Sequence, residues 1–298
     1  MKKILAVIGT RPEAIKMAPI ILALEREPWA NVRVLATAQH RHMLDQVNEF
    51  FGIDPDIDLN IMRPNQALTA LTARLLLELD DVLQAEKPDA VLVQGDTTTV
   101  MTVALACFYH RIPIGHVEAG LRTWDMQNPF PEEANRVIAG KLARWHFAPT
   151  EGSRRNLLRE GVSDDEIIVT GNTVIDALLM TAAKDLELAV PLDAEKRLVL
   201  VTSHRRENFG EPFLNICHAL RTLAENNPAV QFLYPVHPNP NIKDVAYKFL
   251  GGLPNFILCE PLDYAPFIAA MKRAYIILTD SGGVQEEAPA LGKPVLVL

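Results

Sequence analysis

The chain has 298 residues, 29 of them Lys or Arg and 37 Asp or Glu, for a formal net charge of −8. Hydrophobic residues make up 49% and charged residues 22%, the balance of an ordinary globular chain, which excludes disorder and collagen-like repeats. The acidic surplus counts against a nucleic-acid or anionic-membrane binder, and no run reaches the roughly 18 apolar residues of a membrane span.

At the amino end, Met1-Lys2-Lys3 and the apolar run 4–8 are too short for a signal segment, and Gly9-Thr10-Arg11-Pro12 interrupts them. Apolar runs predict strands at 4–8, 32–37, 90–93, 113–117, 146–148 and 167–169. Helical periodicity predicts helices at 12–26, 41–51, 67–86, 98–110, 132–144 and 151–160. The strands read as continuous Val/Ile/Leu runs, as expected for strands buried on both faces. A charged, Ala-rich segment at 183–196 precedes a second series. Its predicted strands are 198–202, 231–236, 256–259, 275–279 and 294–298; its helices are 212–225, 239–249, 264–273 and 284–291. The alternation predicts an α/β chain of two doubly wound parallel-sheet domains, with the boundary near 175–195 and a cleft between them. Ligands of such sheets bind outside the carboxyl ends of the strands. Cys107, Cys217 and Cys259 are odd in number and widely spaced, so they read as buried thiols of a reducing cytoplasm and not as a disulfide frame or zinc site.

The residues after the predicted strands are informative. Gly9-Thr10-Arg11-Pro12-Glu13-Ala14-Ile15-Lys16 combines a capping box, Thr10 with Glu13, and a first-turn proline. A helix amino terminus favours an anion, and Arg11 and Lys16 add positive charge beside it; a well-capped helix with two surface cations is the plainer reading. Asp96, Glu118 and Glu132 follow the third strand, follow the fourth, and open a helix after a proline-rich loop, so all three lie on one sheet edge. Glu132 and Glu133 also suit a first-turn role, whereas Glu118 falls in a loop. Three acids with Arg136 on one rim point to acid/base work, with repulsion and Arg136 setting the proton affinities.

In the second series, Ser203-His204-Arg205-Arg206-Glu207-Asn208 places a His and two Arg at a strand end, as a phosphate or a proton transfer requires, although a solvated turn is also open. Asp280-Ser281-Gly282-Gly283-Val284-Gln285-Glu286-Glu287 joins a strand to a helix. Its glycines let backbone N–H groups approach a diphosphate, and Glu287 lies one turn in, within reach of a ribose. It is neither GxGxxG nor a P-loop, so dinucleotide and ATP-hydrolysing readings lose ground. The histidines form no metal site; His110, His116, His146 and His218 read as structural, and His237 as a turn or cleft residue.

Taken together, the stretches 9–16, 37–47, 94–99, 116–123, 129–136, 170–176, 203–208 and 280–298 resemble the non-hydrolysing UDP-N-acetylglucosamine 2-epimerases. The resemblance implies a GT-B architecture, with a Rossmann-like N-terminal domain at 1–178 and a nucleotide-binding Rossmann-like domain at 190–298. It implies interconversion of UDP-N-acetylglucosamine and UDP-N-acetylmannosamine in the cytoplasm, by anti elimination of UDP and its re-addition to a 2-acetamidoglucal. No cofactor and no metal are implied, and the assembly implied is a homodimer. Carried over residue by residue, Asp96, Glu118 and Glu132 are the acid/base carboxylates, assisted by Arg136 and His204. Arg11, Lys16, Ser281, Gly282 and Gly283 hold the diphosphate, Glu287 the ribose, and Phe267 the uracil. Three departures stand out: Leu262 replaces a polar residue near the uracil, while His42 and Asn65 replace groups of an activating second site, which counts against such activation here. Relatives continue beyond residue 298, so the second domain is expected to be truncated. A GT-B glycosyltransferase would share the 281–287 clamp but has no reason to line one rim with three acids. A silent nucleotide-sugar sensor could dispense with them.

Overall fold

The computed structural model describes residues 1–37, 41–61, 63, 66–203, 205 and 208–298. The chain divides into two units, Met1–Ala177 and Leu178–Leu298. In the first, strands β1 (Lys2–Ile8), β2 (Ala30–Ala36), β3 (Ile57–Asp58), β4 (Ala90–Gln94), β5 (Ile114–Val117), β6 (Trp145–Ala148) and β7 (Ile167–Val169) form one sheet in the order β3-β2-β1-β4-β5-β6-β7. Every pairing is parallel. The connecting helices are α1 (Arg11–Leu24), α2 (Arg41–Phe51), α3 (Leu68–Glu86), α4 (Thr98–Tyr109), α5 (Glu132–Leu142) and α6 (Glu151–Arg159), and α7 (Thr173–Ala182) follows β7 and runs across the division between the units. The strand order reverses between β1 and β4, so the crevice for a ligand opens where Gly9–Arg11 and Gly95–Asp96 leave the sheet.

Local chemistry accounts for these elements. Thr10 caps α1 as anticipated: its side chain accepts from the Glu13 N–H while Glu13 reaches back to the cap backbone. Helix α3 carries Leu71, Leu75, Leu79 and Leu83 at a spacing of four, all buried, against Leu5, Val7, Val91, Val93 and Val103. It stops at Lys87, whose φ of 45° ends the helix in the left-handed region.

The second unit repeats the arrangement with β8 (Arg197–Thr202), β9 (Val230–Pro235), β10 (Phe256–Cys259), β11 (Ile276–Thr279) and β12 (Val295–Val297), again all parallel, in the order β10-β9-β8-β11-β12. Helices α8 (Glu211–Asn226), α9 (Pro240–Leu250), α10 (Tyr264–Arg273) and α11 (Gly282–Ala290) connect them. Here the order reverses between β8 and β11, the strands that lead to Ser203 and to Asp280. Residues 186–192 carry no regular structure, yet Leu186, Leu188, Val190 and Leu192 pack on the cluster built around Leu198, Leu200 and Ile277.

Three elements add to the sequence reading: the two-residue edge strand β3, a 3-10 turn at Asp164–Glu166 and helix α7. Cys107 and Cys217 are buried free thiols, whereas Cys259 is half-buried. Among the described residues no helix is long and apolar enough to cross a membrane. Trp29, Trp124 and Trp145 all lie in the first unit, so tryptophan fluorescence reports that unit alone. Leu75→Ala removes a fully buried side chain from its core. Its unfolding in urea, followed by that fluorescence, is expected to show a loss of about 2–5 kcal/mol.

Candidate active site

The crevice of the first unit is built on the turns after β1 and β4. Gly9 sits where a Cβ would lie 2.7 Å from Thr37 Oγ1 and 3.0 Å from both Glu13 Oε2 and Thr99 Oγ1, so no larger residue fits. Beneath the turn, Glu13 Oε2 accepts the N–H groups of Gly9 (2.9 Å) and Thr10 (2.6 Å), and Oε1 accepts the Thr97 hydroxyl at 2.7 Å. Thr97 in turn caps α4 by accepting the Val100 N–H. One buried carboxylate therefore ties the amino ends of α1 and α4 together. Burial pushes the Glu13 carboxyl up from its ordinary value, against the hydrogen bonds that favour its charged form.

The three acids predicted on the rim converge around Asp96. Its carboxyl is pushed up, first by burial and then by the charges of Glu118 and Glu132, while Arg136 and Lys16 oppose the shift. Arg136 Nη2 lies 3.3 Å from Asp96 Oδ2, and Asn135 Nδ2 holds the Asp96 carbonyl at 2.9 Å. Glu118 stands in the left-handed region at φ 62°, which aims its carboxylate back across the crevice. It meets the Lys16 ammonium at 2.7 and 2.6 Å, accepts a short hydrogen bond from Gln94, and lies 3.4 Å from Asn172 Nδ2. Lys16, expected beside a diphosphate, is thus engaged by Glu118, because its position one turn beyond Arg11 points it at the end of β5.

Glu133 departs from the reading as a first-turn cap. Its side chain is 1% exposed, Oε1 accepts the N–H groups of Thr123 and Trp124 at 3.0 Å each, and Oε2 lies 3.3 Å from Arg136 Nε. His116 is buried beneath the site with Nε2 2.7 Å from the Gly95 carbonyl, and burial pushes it down to about 4. A neutral ring there donates Nε2–H to that carbonyl. The structural reading of His116 and His146 agrees with their burial. His237 accepts the Asn239 N–H at 3.2 Å, a turn contact.

In the second unit, Asp280 is the buried organiser. It accepts hydrogen bonds from Ser203 Oγ (2.9 Å), the Arg205 N–H (3.0 Å) and Asn208 Nδ2 (3.0 Å). Ser281 caps α11 without a side-chain bond, which leaves the first-turn N–H groups at Gly282 and Gly283 without intrahelical partners. The Arg205 guanidinium stands beside them, 3.3 Å from where a Gly282 Cβ would be. Glu287 lies half-buried one turn further along α11. Phe267, expected against a uracil, is half-buried and packs on the core cluster of this unit. His204 lies outside the described residues. Arg205 is one of the two arginines the sequence offered for a phosphate, whereas Glu13, Glu133 and Asp280 are residues of the candidate site that had no such part in the sequence reading. For Glu13 and Glu133 the available signal, an acid in a first turn, is shared with countless surface helices. Among the described residues no group of three or more His, Cys, Asp or Glu is placed to hold a metal ion.

Fold and site together define a class: an enzyme of the GT-B type, with Rossmann-like parallel sheets, a cluster of acids in one unit and a glycine-opened helix in the other. A family model described as UDP-N-acetylglucosamine 2-epimerase matches residues 22–298. A UDP-N-acetylglucosamine 2-epimerase of Salmonella typhimurium is 56% identical over 99% of this chain and 81% of its own. The crystal structure of the Neisseria meningitidis UDP-GlcNAc 2-epimerase bound to UDP-GlcNAc superposes with a TM-score of 0.88 at 50% identity, over 99% of this chain and 82% of that one. An S. aureus MnaA–UDP co-structure superposes with a TM-score of 0.85 at 49% identity, over 100% and 79% of the two chains. The chain belongs to the UDP-N-acetylglucosamine 2-epimerase family.

The burial of His116 makes a prediction. Its folded-state value near 4 lies below the ordinary 6.5, so between those values the unfolded chain binds a proton that the native one refuses. Stability is lost as pH falls through this window, by about 3 kcal/mol in total. His116→Gln keeps a donor for the Gly95 carbonyl and does not titrate. Urea unfolding at pH 7 and pH 4 is expected to show a smaller acid loss in the variant by about that amount.

Proposed function

We propose that this chain interconverts UDP-N-acetylglucosamine and UDP-N-acetylmannosamine by elimination and re-addition of UDP. The observation that carries the reading is the gathering of Asp96, Glu118 and Glu132 around one arginine and one lysine at the strand-order reversal of the first unit. The hydrogen at C2 of the sugar is not acidic, so its removal has to be coupled to departure of the group on C1. A carboxylate takes the C2 proton, the C–H electron pair becomes the C1–C2 double bond, and UDP leaves with the C1–O pair. Reprotonation of C2 from the opposite face, with attack of a diphosphate oxygen on C1, gives the epimer. Such a cycle needs proton carriers on both faces, and burial, by raising the proton affinity of the Asp96 carboxyl, suits it to that task.

Glu118, bound to Lys16, is a second carrier, and Glu132 opens α5 as the third acid. In the second unit the amides at the start of α11, with Arg205, suit the diphosphate, and Glu287 suits the ribose. Arg11 as a diphosphate contact, Phe267 at the uracil and His204 as an assisting group are roles the family resemblance supplies. A glycosyltransferase shares the α11 arrangement but leaves the paired acids without a task, and a silent binder leaves them at a solvation cost with no return. The free thiols fit a cytoplasmic enzyme, and a homodimer is the assembly the family implies.

Incubation with UDP-N-acetylglucosamine in D₂O is expected to place deuterium at C2 of the product, read by NMR, without net loss of UDP-sugar. Transfer of the sugar to an added acceptor with no C2 exchange would overturn the reading. Asp96→Asn is expected to lower kcat by about 10²–10⁴. UDP affinity should stay within about tenfold, because proton transfer and diphosphate binding use different groups.

A further inference from the structure

Glu133 is an acid buried beside an arginine and unused by the chemistry above, and its contacts lead directly to Asp96. Its Oε1 fixes two consecutive backbone N–H groups, Thr123 and Trp124, where the chain passes through φ 67° at Trp124. Its Oε2 has no hydrogen-bond partner and only the Arg136 guanidinium at 3.3 Å. Arg136, itself 10% exposed, extends Nη2 on the other side to Asp96 at 3.3 Å. The next helical residue, Asn135, holds the Asp96 carbonyl. Helix α5 therefore grips Asp96 at backbone and side chain, and Glu133 sets how much of the arginine the acid receives. A helix-terminus preference for acids does not account for this placement, since that effect needs no burial and acts on exposed side chains.

We propose that Glu133 is a positioning residue which, by dividing the charge of Arg136 with Asp96 and holding the Thr123–Trp124 turn, keeps Asp96 available as a proton carrier. Without the Glu133 charge, two things change in the same direction. The guanidinium loses the competitor for its field, and a negative charge near Asp96 disappears; both make Asp96 a stronger acid. The other groups that face Asp96 stay in place: Glu132 from α5, Glu118 from the end of β5 and Lys16 from α1.

This role rests on the reading of Asp96 as a proton carrier, but its test does not need turnover. Glu133→Gln is isosteric and keeps Oε1 as acceptor for both N–H groups, so the turn stays held. Glu133→Asp keeps the charge. The Asp96 carboxyl is titrated in the full chain by its ¹³C shift, identified through Asp96→Asn. Glu133→Gln is expected to lower the midpoint by at least about half a pH unit, roughly a threefold change in proton affinity. Glu133→Asp is expected to stay near wild type. In the epimerisation assay the acid limb of kcat for Glu133→Gln should move the same way, with UDP affinity unchanged. An unmoved Asp96 midpoint in folded Glu133→Gln, or an equal shift in both variants, would overturn the proposal. Absence of C2 exchange in the wild-type protein would instead sink the assigned reaction and leave the midpoint comparison standing.

Discussion

The structure depends on one electrostatic constraint: carboxylates can be collected out of water only if cations or N–H groups are collected with them. An isolated buried charge is costly, and the usual escape is protonation. Here the acids come with partners from elsewhere in the chain. Lys16 arrives on α1 to meet Glu118, 102 positions later, and Arg136 stands between Asp96 and Glu133. The pairs are unequal. Glu118 has an ammonium within 2.7 Å and two side-chain amides, whereas Asp96 shares its guanidinium at 3.3 Å and carries the raised proton affinity. A carboxyl whose proton affinity is raised lies closer to the range in which it can both take and give a proton.

The two units solve a common architectural problem in a common way. In each, the strand order reverses once, and the turns flanking the reversal must be held in register although they lie far apart in sequence. In each, a buried acid does this by accepting three hydrogen bonds. Glu13 joins the turn after β1 to the cap of α4, and Asp280, just after β11, joins the three donors that follow β8. Tyr234 adds a further tie, donating to the Ser203 carbonyl at 2.9 Å from a phenol that burial pushes well above its ordinary range.

The architecture was legible because its signals are local. Continuous apolar strands, the Thr10–Glu13 capping box and glycines after strands each depend on a few neighbouring residues. Strand β3 escaped because two residues carry no periodicity, and helix α7 because its apolar stretch from Val174 to Met180, broken only by Asp176, has the length of a strand. At the site, Asp96, Glu118, Glu132 and Arg136 could be named from their positions after strands, but their pairing could not. Whether Lys16 faces a ligand or Glu118 is decided by the angle between α1 and β5. Whether Glu133 caps a helix or is shut in beside Arg136 is decided by the course of the loop 121–131. Neither quantity is written in a window of neighbours.

The backbone at Glu118 carries one more consequence, for how this enzyme can change over generations. A left-handed conformation disfavours most residues with a Cβ by roughly 1–2 kcal/mol; glycine would relieve it, and asparagine in part through local hydrogen bonding. Either replacement would also take the carboxylate from the Lys16 ammonium and delete an acid proposed above as a proton carrier. The selective pressures for a sturdier fold and for turnover therefore oppose one another at this single codon. A lineage freed from the need for the reaction would be expected to drift there early.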